Sequence, residues 1–322
     1  MAGLMAFILF FAVPFSSFAE VAAAENPSET DSDTHSPAIL QMGGDPPFED
    51  GVPLLEIFFL NLEQGDGFFL RCGGQTLLID GGYAWQYPIL KSFLLEEHGS
   101  LRVGSILNTH QHDDHIGAQL ELLADGGGAA QFYSPLSTEE KNPAYQQLYP
   151  LLQETETAFV QLFPGDLLDL GASEREEEDA GALPLGGDFV VQRENSALLR
   201  VYRCVEMPND INASSLILHI TYGERSLLLM ADADGTPQNL LLAAFGDELQ
   251  ADVFKAAHHG LKHTVSGFMD AVNPSLCIIT NKRSRTAQQT RQLRLRSIPD
   301  LYTAEGMVYL ATDGKTWYAS QE

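Results

Sequence analysis

Short apolar runs, several of them alternating with polar residues, follow one another along the chain after residue 53. They read LLEIFFLNL, GFFLRCG and QTLLIDGG, and turn-forming residues, mainly glycine, separate them. Runs of this length that are rich in aromatic and branched residues are typical of strands. The pattern predicts that the folded part of the chain opens with consecutive β-strands.

The periodicity changes after Gly82. The run WQYPILKSFLLEEHG has apolar residues at helical spacing and ends on glycine, RVGSILNT returns to strand, and HIGAQLELLADGGG is helical again. Further along, ALLRVYRCV, SSLILHITYG and RSLLLMADAD are typical of strands, PQNLLLAAFG of a helix, and ADVFKAAHHG of a strand. Alternation of this kind predicts an α/β fold.

Residues 135–187 interrupt this rhythm. The run AYQQLYPLLQETETAFV predicts a helix, and the charged run SEREEEDAG predicts a solvated loop. We interpret the section as an insertion.

The N-terminal part predicts an exported protein. Residues 1–24 contain an apolar run and then three alanines, which is typical of a signal peptide cleaved near Glu25. No Lys or Arg precedes Arg71, so an uncleaved membrane anchor is the alternative. Residues 25–53 are acidic and predict a flexible linker, and residues 54–322 form the folded domain.

Charge and cysteine content narrow the function classes. The formal net charge is −26, and like charges repel polyanions, so we expect no stable nucleic-acid complex. Cys72, Cys204 and Cys277 lie in apolar runs without Cys-x-x-Cys spacing, which predicts core residues rather than a metal or redox site. One disulfide among them is the alternative in an exported protein.

The segment NTHQHDDH, residues 108–115, holds three of the nine histidines. Imidazole nitrogens and carboxylate oxygens are the ligands of catalytic Zn²⁺. His110 and His112 alternate onto one side of an extended chain and suit one metal, whereas Asp114 and His115 point differently and suit a second. A helix-start loop with a capping carboxylate and exposed histidines is the alternative, but the close spacing of the imidazoles favours metal.

Two later strands also end in polar residues. LLLMADAD leads to Asp232, and ADVFKAAHHG ends at His258 and His259. Polar residues at strand ends commonly build functional sites, so Asp232 could bridge two cations and His258 or His259 could complete the second. Alternatively Asp232 or Asp234 caps the following helix, and the histidines form a surface turn.

These motifs occur in a recognisable order from about Leu55 to Trp317. LNLEQGDG, LLIDGG, THQHDDH, NASSLIL, LLMADAD and FKAAHHG together resemble the metallo-β-lactamase superfamily. Within it, Gln64-Gly65-Asp66 and the His-His-Gly at residue 258 resemble the hydrolase module of the bacterial competence protein ComEC. The resemblance implies a bacterial protein with a four-layer αββα sandwich.

The resemblance also implies a metal site at one edge of the two sheets, usually with two zinc ions. Asp114 is the residue that we assign to catalysis as well as to metal binding. Residue by residue, the resemblance implies His110 and His112 for the first metal, Asp114 and His115 for the second, Asp232 as the bridge, and Asp80 as a supporting strand end.

The chain departs from the superfamily in one respect that concerns the first metal. Many members supply a further histidine from the segment that reads NASSLIL here, where this chain has Asn212 and Ser215. His219 lies in the same strand, but we expect it to point away from the site and do not count it as a ligand.

A hydroxide held between two cations is a nucleophile at neutral pH, so the cluster predicts a metal-dependent hydrolase. The stretch NKRSRTAQQTRQLRLR suits a phosphate-bearing small molecule or envelope polymer, although pairing with the acidic insertion is the alternative. A lactonase or β-lactamase-like acyl hydrolase and a non-catalytic metal-binding module are the other functions that the sequence leaves open. The basic residues of this stretch are Lys282, Arg283, Arg285, Arg291, Arg294 and Arg296.

Overall fold

Several sequence predictions concern residues outside the part of the chain that the computed structural model describes. They are the signal peptide over residues 1–24, the charged run at 173–181, Cys204, and the linker before residue 39. Within the described part, no helix combines the length and apolar character needed to cross a bilayer. The described residues are 39–137, 141–171, 195–202 and 210–322.

The first sheet has nine strands in the order β1-β16-β15-β2-β3-β4-β5-β6-β7. Its middle is antiparallel, whereas β4 to β7 pair in parallel. Its strands are β1 (Ile39–Met42), β2 (Leu55–Phe59), β3 (Gly67–Cys72), β4 (Gln75–Asp80), β5 (Ser105–Leu107), β6 (Gln131–Ser134), β7 (Ala158–Gln161), β15 (Val308–Thr312) and β16 (Thr316–Gln321).

The second sheet has seven strands in the order β14-β13-β12-β11-β10-β9-β8. Strands β11 to β14 pair in parallel, and β8 to β11 are antiparallel. Its strands are β8 (Leu167–Leu170), β9 (Ala197–Tyr202), β10 (Ile217–Tyr222), β11 (Arg225–Leu229), β12 (Val253–Lys255), β13 (Leu276–Ile279) and β14 (Asp300–Tyr302).

In the described part of the chain, six α-helices connect the parallel strands. The first continues as a wider turn over Leu94–His98 and ends at Gly99, whose φ of 75° suits glycine. The helices are α1 (Tyr87–Phe93), α2 (Asp113–Ala124), α3 (Pro143–Glu154), α4 (Thr236–Phe245), α5 (Ser266–Val272) and α6 (Ala287–Leu295).

Side-chain alternation along the strands separates the core into layers. In β2, Ile57 joins a cluster that both sheets share, whereas its neighbour Phe58 joins a cluster with α1, α2 and α3. On the outer face of the second sheet, Phe254 packs with residues of α4, α5 and α6, among them Phe268. Two sheets packed face to face with helices outside each confirm the predicted four-layer αββα sandwich.

Two segments differ from the sequence prediction. The helix predicted over residues 144–160 ends at Glu154, and its last part, Ala158–Gln161, is strand β7. The branched and aromatic residues there fit a strand better than a helix. Strand β1 lies inside the predicted linker and pairs in parallel with β16, so this part of the linker belongs to the first sheet.

The structure describes two of the three cysteines. Cys72 and Cys277 are buried free thiols, as core residues should be. Burial raises the pKa of Cys72 to about 11, so its thiol stays protonated at neutral pH. The disulfide alternative therefore does not apply to this pair.

Candidate metal centre

The predicted ligands lie where the carboxyl ends of parallel strands meet. Strands β4 and β5 bring Asp80 and His110 to this edge, and β11 and β12 bring Asp232 and His259 from the second sheet. In open α/β sheets this edge is where ligands bind, because the loops that follow the strands converge there. Sequence positions from both halves of the chain thus form one site.

Asp80 contacts residues of the histidine segment at the end of β4, as the resemblance implies. Its Oδ1 accepts a hydrogen bond from the Thr109 backbone N at 2.8 Å, and its Oδ2 accepts one from the Thr109 hydroxyl at 2.6 Å. His115 Nδ1 lies 2.7 Å from the same Oδ2. The contact fixes the His115 ring so that Nε2 faces the site.

Asp232 lies between two pairs of histidines. Its Oδ1 is 3.3 Å from His115 Nε2 and 3.5 Å from His259 Nε2. Its Oδ2 is 3.7 Å from His110 Nε2 and 3.8 Å from His258 Nε2. One buried carboxylate thus presents an oxygen to each of two separate groups of imidazoles.

Two further predicted ligands complete these groups. Asp114 Oδ2 is 3.2 Å from His259 Nε2, and His112 Nδ1 is 3.1 Å from His110 Nε2. All seven residues that the sequence predicted as ligands therefore lie in one cluster. We call His110, His112 and Asp232 Oδ2 the first site, and Asp114, His115, His259 and Asp232 Oδ1 the second site.

The cluster fits a divalent cation. His115 Nε2, His259 Nε2 and Asp232 Oδ1 are buried and have no hydrogen-bond partner among the described residues. Polar atoms buried without a partner are costly, and a cation among them would satisfy all three together. The chemistry of the set, imidazole nitrogens with carboxylate oxygens, is that of zinc and related metals.

Asp66, in the loop after β2, contacts His259 of the second site on the ring nitrogen that faces away from Asp232. Its Oδ1 accepts a hydrogen bond from the Thr280 hydroxyl at 2.7 Å and lies 3.0 Å from His259 Nδ1. Its Oδ2 forms a buried ion pair with Lys255. Asp66 lies within reach of the second-site ligands His115, Asp232 and His259. Both of its oxygens are engaged by protein groups, so it is placed to orient His259.

The electrostatics of the cluster favour an ionised Asp232. Burial opposes ionisation of this carboxyl, but the His259 and His115 imidazoles outweigh it and hold the pKa of Asp232 well below its usual range. Burial also lowers the pKa of His259, but the carboxylates of Asp232 and Asp66 raise it to about 9. For His110 burial dominates, and its pKa falls well below the usual value.

Glycine is required where the Asp66 loop meets α2. Gly65 has a φ of 109°, and a Cβ there would lie 2.9 Å from the backbone oxygen of Asp114. The same oxygen accepts a hydrogen bond from Asp66 N at 3.1 Å. The close approach places Asp66 and Asp114 on either side of His259.

Comparison with known proteins agrees with this architecture. Residues 60–192 match the profile of the metallo-beta-lactamase superfamily. The match supports membership of that superfamily. No curated protein matches the chain in sequence. The ComEC branch stays a prediction.

Three solved structures illustrate what this chain is similar to. The metallo-beta-lactamase fold protein YhfI from Bacillus subtilis has a TM-score of 0.47 at 12% identity and covers 77% of this chain and 95% of its own. For CmlA, a diiron β-hydroxylase from Streptomyces venezuelae, the TM-score is 0.46 at 14% identity, over 83% of this chain and 55% of CmlA. A diphosphatase from the PhnP family has a TM-score of 0.45 at 11% identity. The match covers 80% of this chain and 98% of the diphosphatase.

The segment where many superfamily members supply a histidine adjoins the first site. Asn212 Nδ2 is 3.4 Å from His258 Nε2, and the Ser215 hydroxyl accepts a hydrogen bond from Asp232 N at 3.3 Å. His219 contacts the backbone oxygen of Gln250 at 3.0 Å instead, and it is not part of the cluster.

The helix-cap interpretation of the Asp232 segment is wrong. Helix α4 begins at Thr236 after Gly235, and no side chain caps it. Asp234 Oδ2 instead lies 3.1 Å from His258 Nδ1, and its carboxylate pairs with Lys262 at 3.0 Å. The backbone turn at Gly235 leaves the Asp234 side chain facing the histidine.

A series of polar side-chain contacts connects Asp114 to the exposed residue Arg285. The Tyr83 hydroxyl interacts with Asp114 and accepts a hydrogen bond from Gln64 Nε2 at 3.3 Å. The Gln64 Oε1 in turn accepts one from Arg285. Tyr83 belongs to no sequence motif and was not predicted as a site residue, whereas Arg285 belongs to the predicted basic stretch.

Other basic residues of this stretch pair with carboxylates from several parts of the chain. Lys282 pairs with Glu63 at 2.7 Å, which sets a second cation beside the Gln64 loop. Arg283 pairs with Glu305 at 3.0 Å. These carboxylates lie outside the insertion at residues 135–187, whose charged run at 173–181 is not among the described residues.

Proposed function

We propose that this protein is an exported, metal-dependent hydrolase of phosphodiesters or related phosphorylated substrates, with two divalent cations, zinc, at the first and second sites. The observation that carries the proposal is the position of Asp232. Its two buried oxygens face different imidazole groups, which is what a carboxylate bridge between two cations requires. The unpartnered nitrogens of His115 and His259 support the same conclusion.

Divalent cations held here would activate water and stabilise negative charge that develops on a phosphoryl oxygen. The residues around them have complementary roles. Although burial opposes it, contacts with His259 and His115 lower the pKa of Asp114, which stays ionised as a ligand. Burial and the nearby Asp114 raise the pKa of Tyr83, so its hydroxyl stays protonated and donates its hydrogen bond to the Asp114 carboxylate.

Arg285 supports a phosphate-bearing substrate over a carbon ester. It is exposed, and Gln64 and Tyr83 connect it to Asp114. A guanidinium can bind two phosphate oxygens at once, a geometry that a neutral lactone carbonyl cannot use. A cation held by Asp114 and the Arg285 guanidinium would then both contact the same phosphate-bearing substrate.

Substrate class can be tested on the full-length, zinc-loaded protein with a chromogenic phosphodiester, a lactone and a β-lactam. We expect turnover of the phosphodiester, loss of it with chelator, and recovery with zinc. Arg285→Gln should raise KM for the phosphodiester several-fold, whereas Arg291→Gln, an exposed arginine of α6, should not. Turnover of the lactone or β-lactam alone would contradict the substrate proposal, and no turnover of any compound would contradict the hydrolase proposal.

Export rests on the apolar run and alanines of residues 1–24. It is tested by cell fractionation and by sequencing the N-terminus of the mature protein. Export with cleavage predicts a mature protein that begins near Glu25. An intact N-terminus on cytoplasmic protein would contradict it.

A further inference from the structure

The turn after β12 has an unusual backbone. His258 and His259 have φ values of 49° and 53°, and Gly260 follows with 72°. Left-handed conformations in non-glycine residues cost energy and persist where the surrounding structure imposes them, often at functional sites. The turn directs two adjacent imidazoles into one cluster, with ring centroids 6.0 Å apart.

Four histidines of the cluster share one arrangement. In each, Nδ1 contacts a protein oxygen and Nε2 faces Asp232. The Nδ1 partners are Thr109 for His110 at 3.1 Å, Asp80 for His115 at 2.7 Å, Asp234 for His258 at 3.1 Å and Asp66 for His259 at 3.0 Å.

Histidines that bind metals typically have this arrangement, because the contact at one nitrogen fixes the ring and leaves the other nitrogen for the metal. Two of these four histidines face each carboxylate oxygen of Asp232. His115 and His259 face Oδ1, whereas His110 and His258 face Oδ2. The adjacent histidines of one turn therefore serve different sides of the carboxylate.

We propose that His258 is a ligand of the first site and that Asp234 is its positioning residue. This inference rests on the proposed two-cation centre. With His258, the first site gains a fourth protein group, as many as the second site has. Asn212, 3.4 Å from His258 Nε2, then lies beside this ligand.

The test measures zinc binding to the full-length protein without reference to activity. Metal-free wild type and variants are titrated with zinc against a chromophoric chelator, which yields the number of ions and their dissociation constants. We expect wild type to bind two ions. His258→Ala should weaken one of them at least tenfold, and His259→Ala should weaken the other.

His263→Ala is the matched control, because His263 is an exposed histidine on the same segment. It should bind zinc as wild type does. Asp234→Asn keeps the shape of the side chain, and we expect it to weaken the same ion as His258→Ala, by about tenfold. This variant keeps the test decisive if His258→Ala does not fold.

The inference would be overturned if both zinc dissociation constants of His258→Ala matched those of wild type. If only Asp234→Asn folds, the same result in that variant would overturn it. Neither result would contradict the two-cation centre. Weakening of both ions to the same extent would also overturn it, because His258 would then not belong to the first site. If wild type bound no zinc, the proposed function and this inference would both be wrong.

Discussion

Asp66 is a buried residue whose contacts fix the position of His259, a predicted metal ligand. It contacts His259 Nδ1 at 3.0 Å and accepts a hydrogen bond from the Thr280 hydroxyl, and Lys255 balances its charge. The carboxylate therefore fixes the ring orientation of His259 and increases the basicity of its other nitrogen.

We predict that Asp66→Asn lowers the zinc affinity of the second site by about 10- to 100-fold, the usual effect of losing such a contact. Zinc titration of the full-length protein measures this change. Glu63→Gln makes the same chemical change on an exposed residue of the same loop and should leave the affinity unaltered. If the two variants bind zinc equally well, Asp66 does not position His259.

Spacing made some site residues predictable and others not. The segment from His110 to His115 could be predicted as a metal site, because its ligands are close together in sequence. Asp66 could not be assigned its role, because its partners Lys255 and His259 lie 189 and 193 residues away. A lone lysine within the apolar run of β12 was the available signal that a buried carboxylate faces it.

At the scale of elements, β12 connects the two sheets through charge as well as through packing. Lys255 is fully buried at the end of this strand, pairs with Asp66 of the first half of the chain, and donates to Ala231 O at 3.1 Å. Removing one partner of a buried ion pair leaves the other charge without compensation.

We therefore predict that Lys255→Met lowers the free energy of unfolding by about 3–5 kcal/mol, measured by urea denaturation. The double variant Asp66→Asn with Lys255→Met should recover part of the loss, because no buried charge is then left alone. Lys91→Met breaks an exposed pair with Asp125, which water screens, and should lower the free energy of unfolding far less than Lys255→Met does. If Lys255→Met and Lys91→Met lowered the free energy of unfolding equally, this account would be contradicted.

Element boundaries were less predictable than element types. The core strands and α2 follow from periodicity, but the run that contains α3 looked helical through residue 160. The chain instead leaves the helix after Glu154, turns at Glu156 with a φ of 52°, and adds β7 beside β6. That strand depends on its pairing partner, which periodicity does not reveal.

For the whole molecule, the site joins residues from both sheets, so bound metal should stabilise the entire fold. Free zinc at about 100 times its dissociation constant would add about 2.7 kcal/mol per site to the free energy of unfolding. We predict that Tm rises with zinc concentration and falls on addition of chelator, as followed by differential scanning calorimetry. A Tm that is the same at every zinc concentration would contradict metal binding by the folded state.

Asp232 tests the central claim most directly, because among the described carboxylates it is the one that faces both groups of histidines. Elemental analysis of zinc-loaded, full-length protein should give about two ions per chain. Asp232→Ala should lower this to one ion or fewer, because two cations without a shared anion repel each other in a poorly screened site. Asp247→Ala, at an exposed aspartate near the end of α4, should retain both ions. Two ions per chain in Asp232→Ala, or none in wild type, would contradict the account.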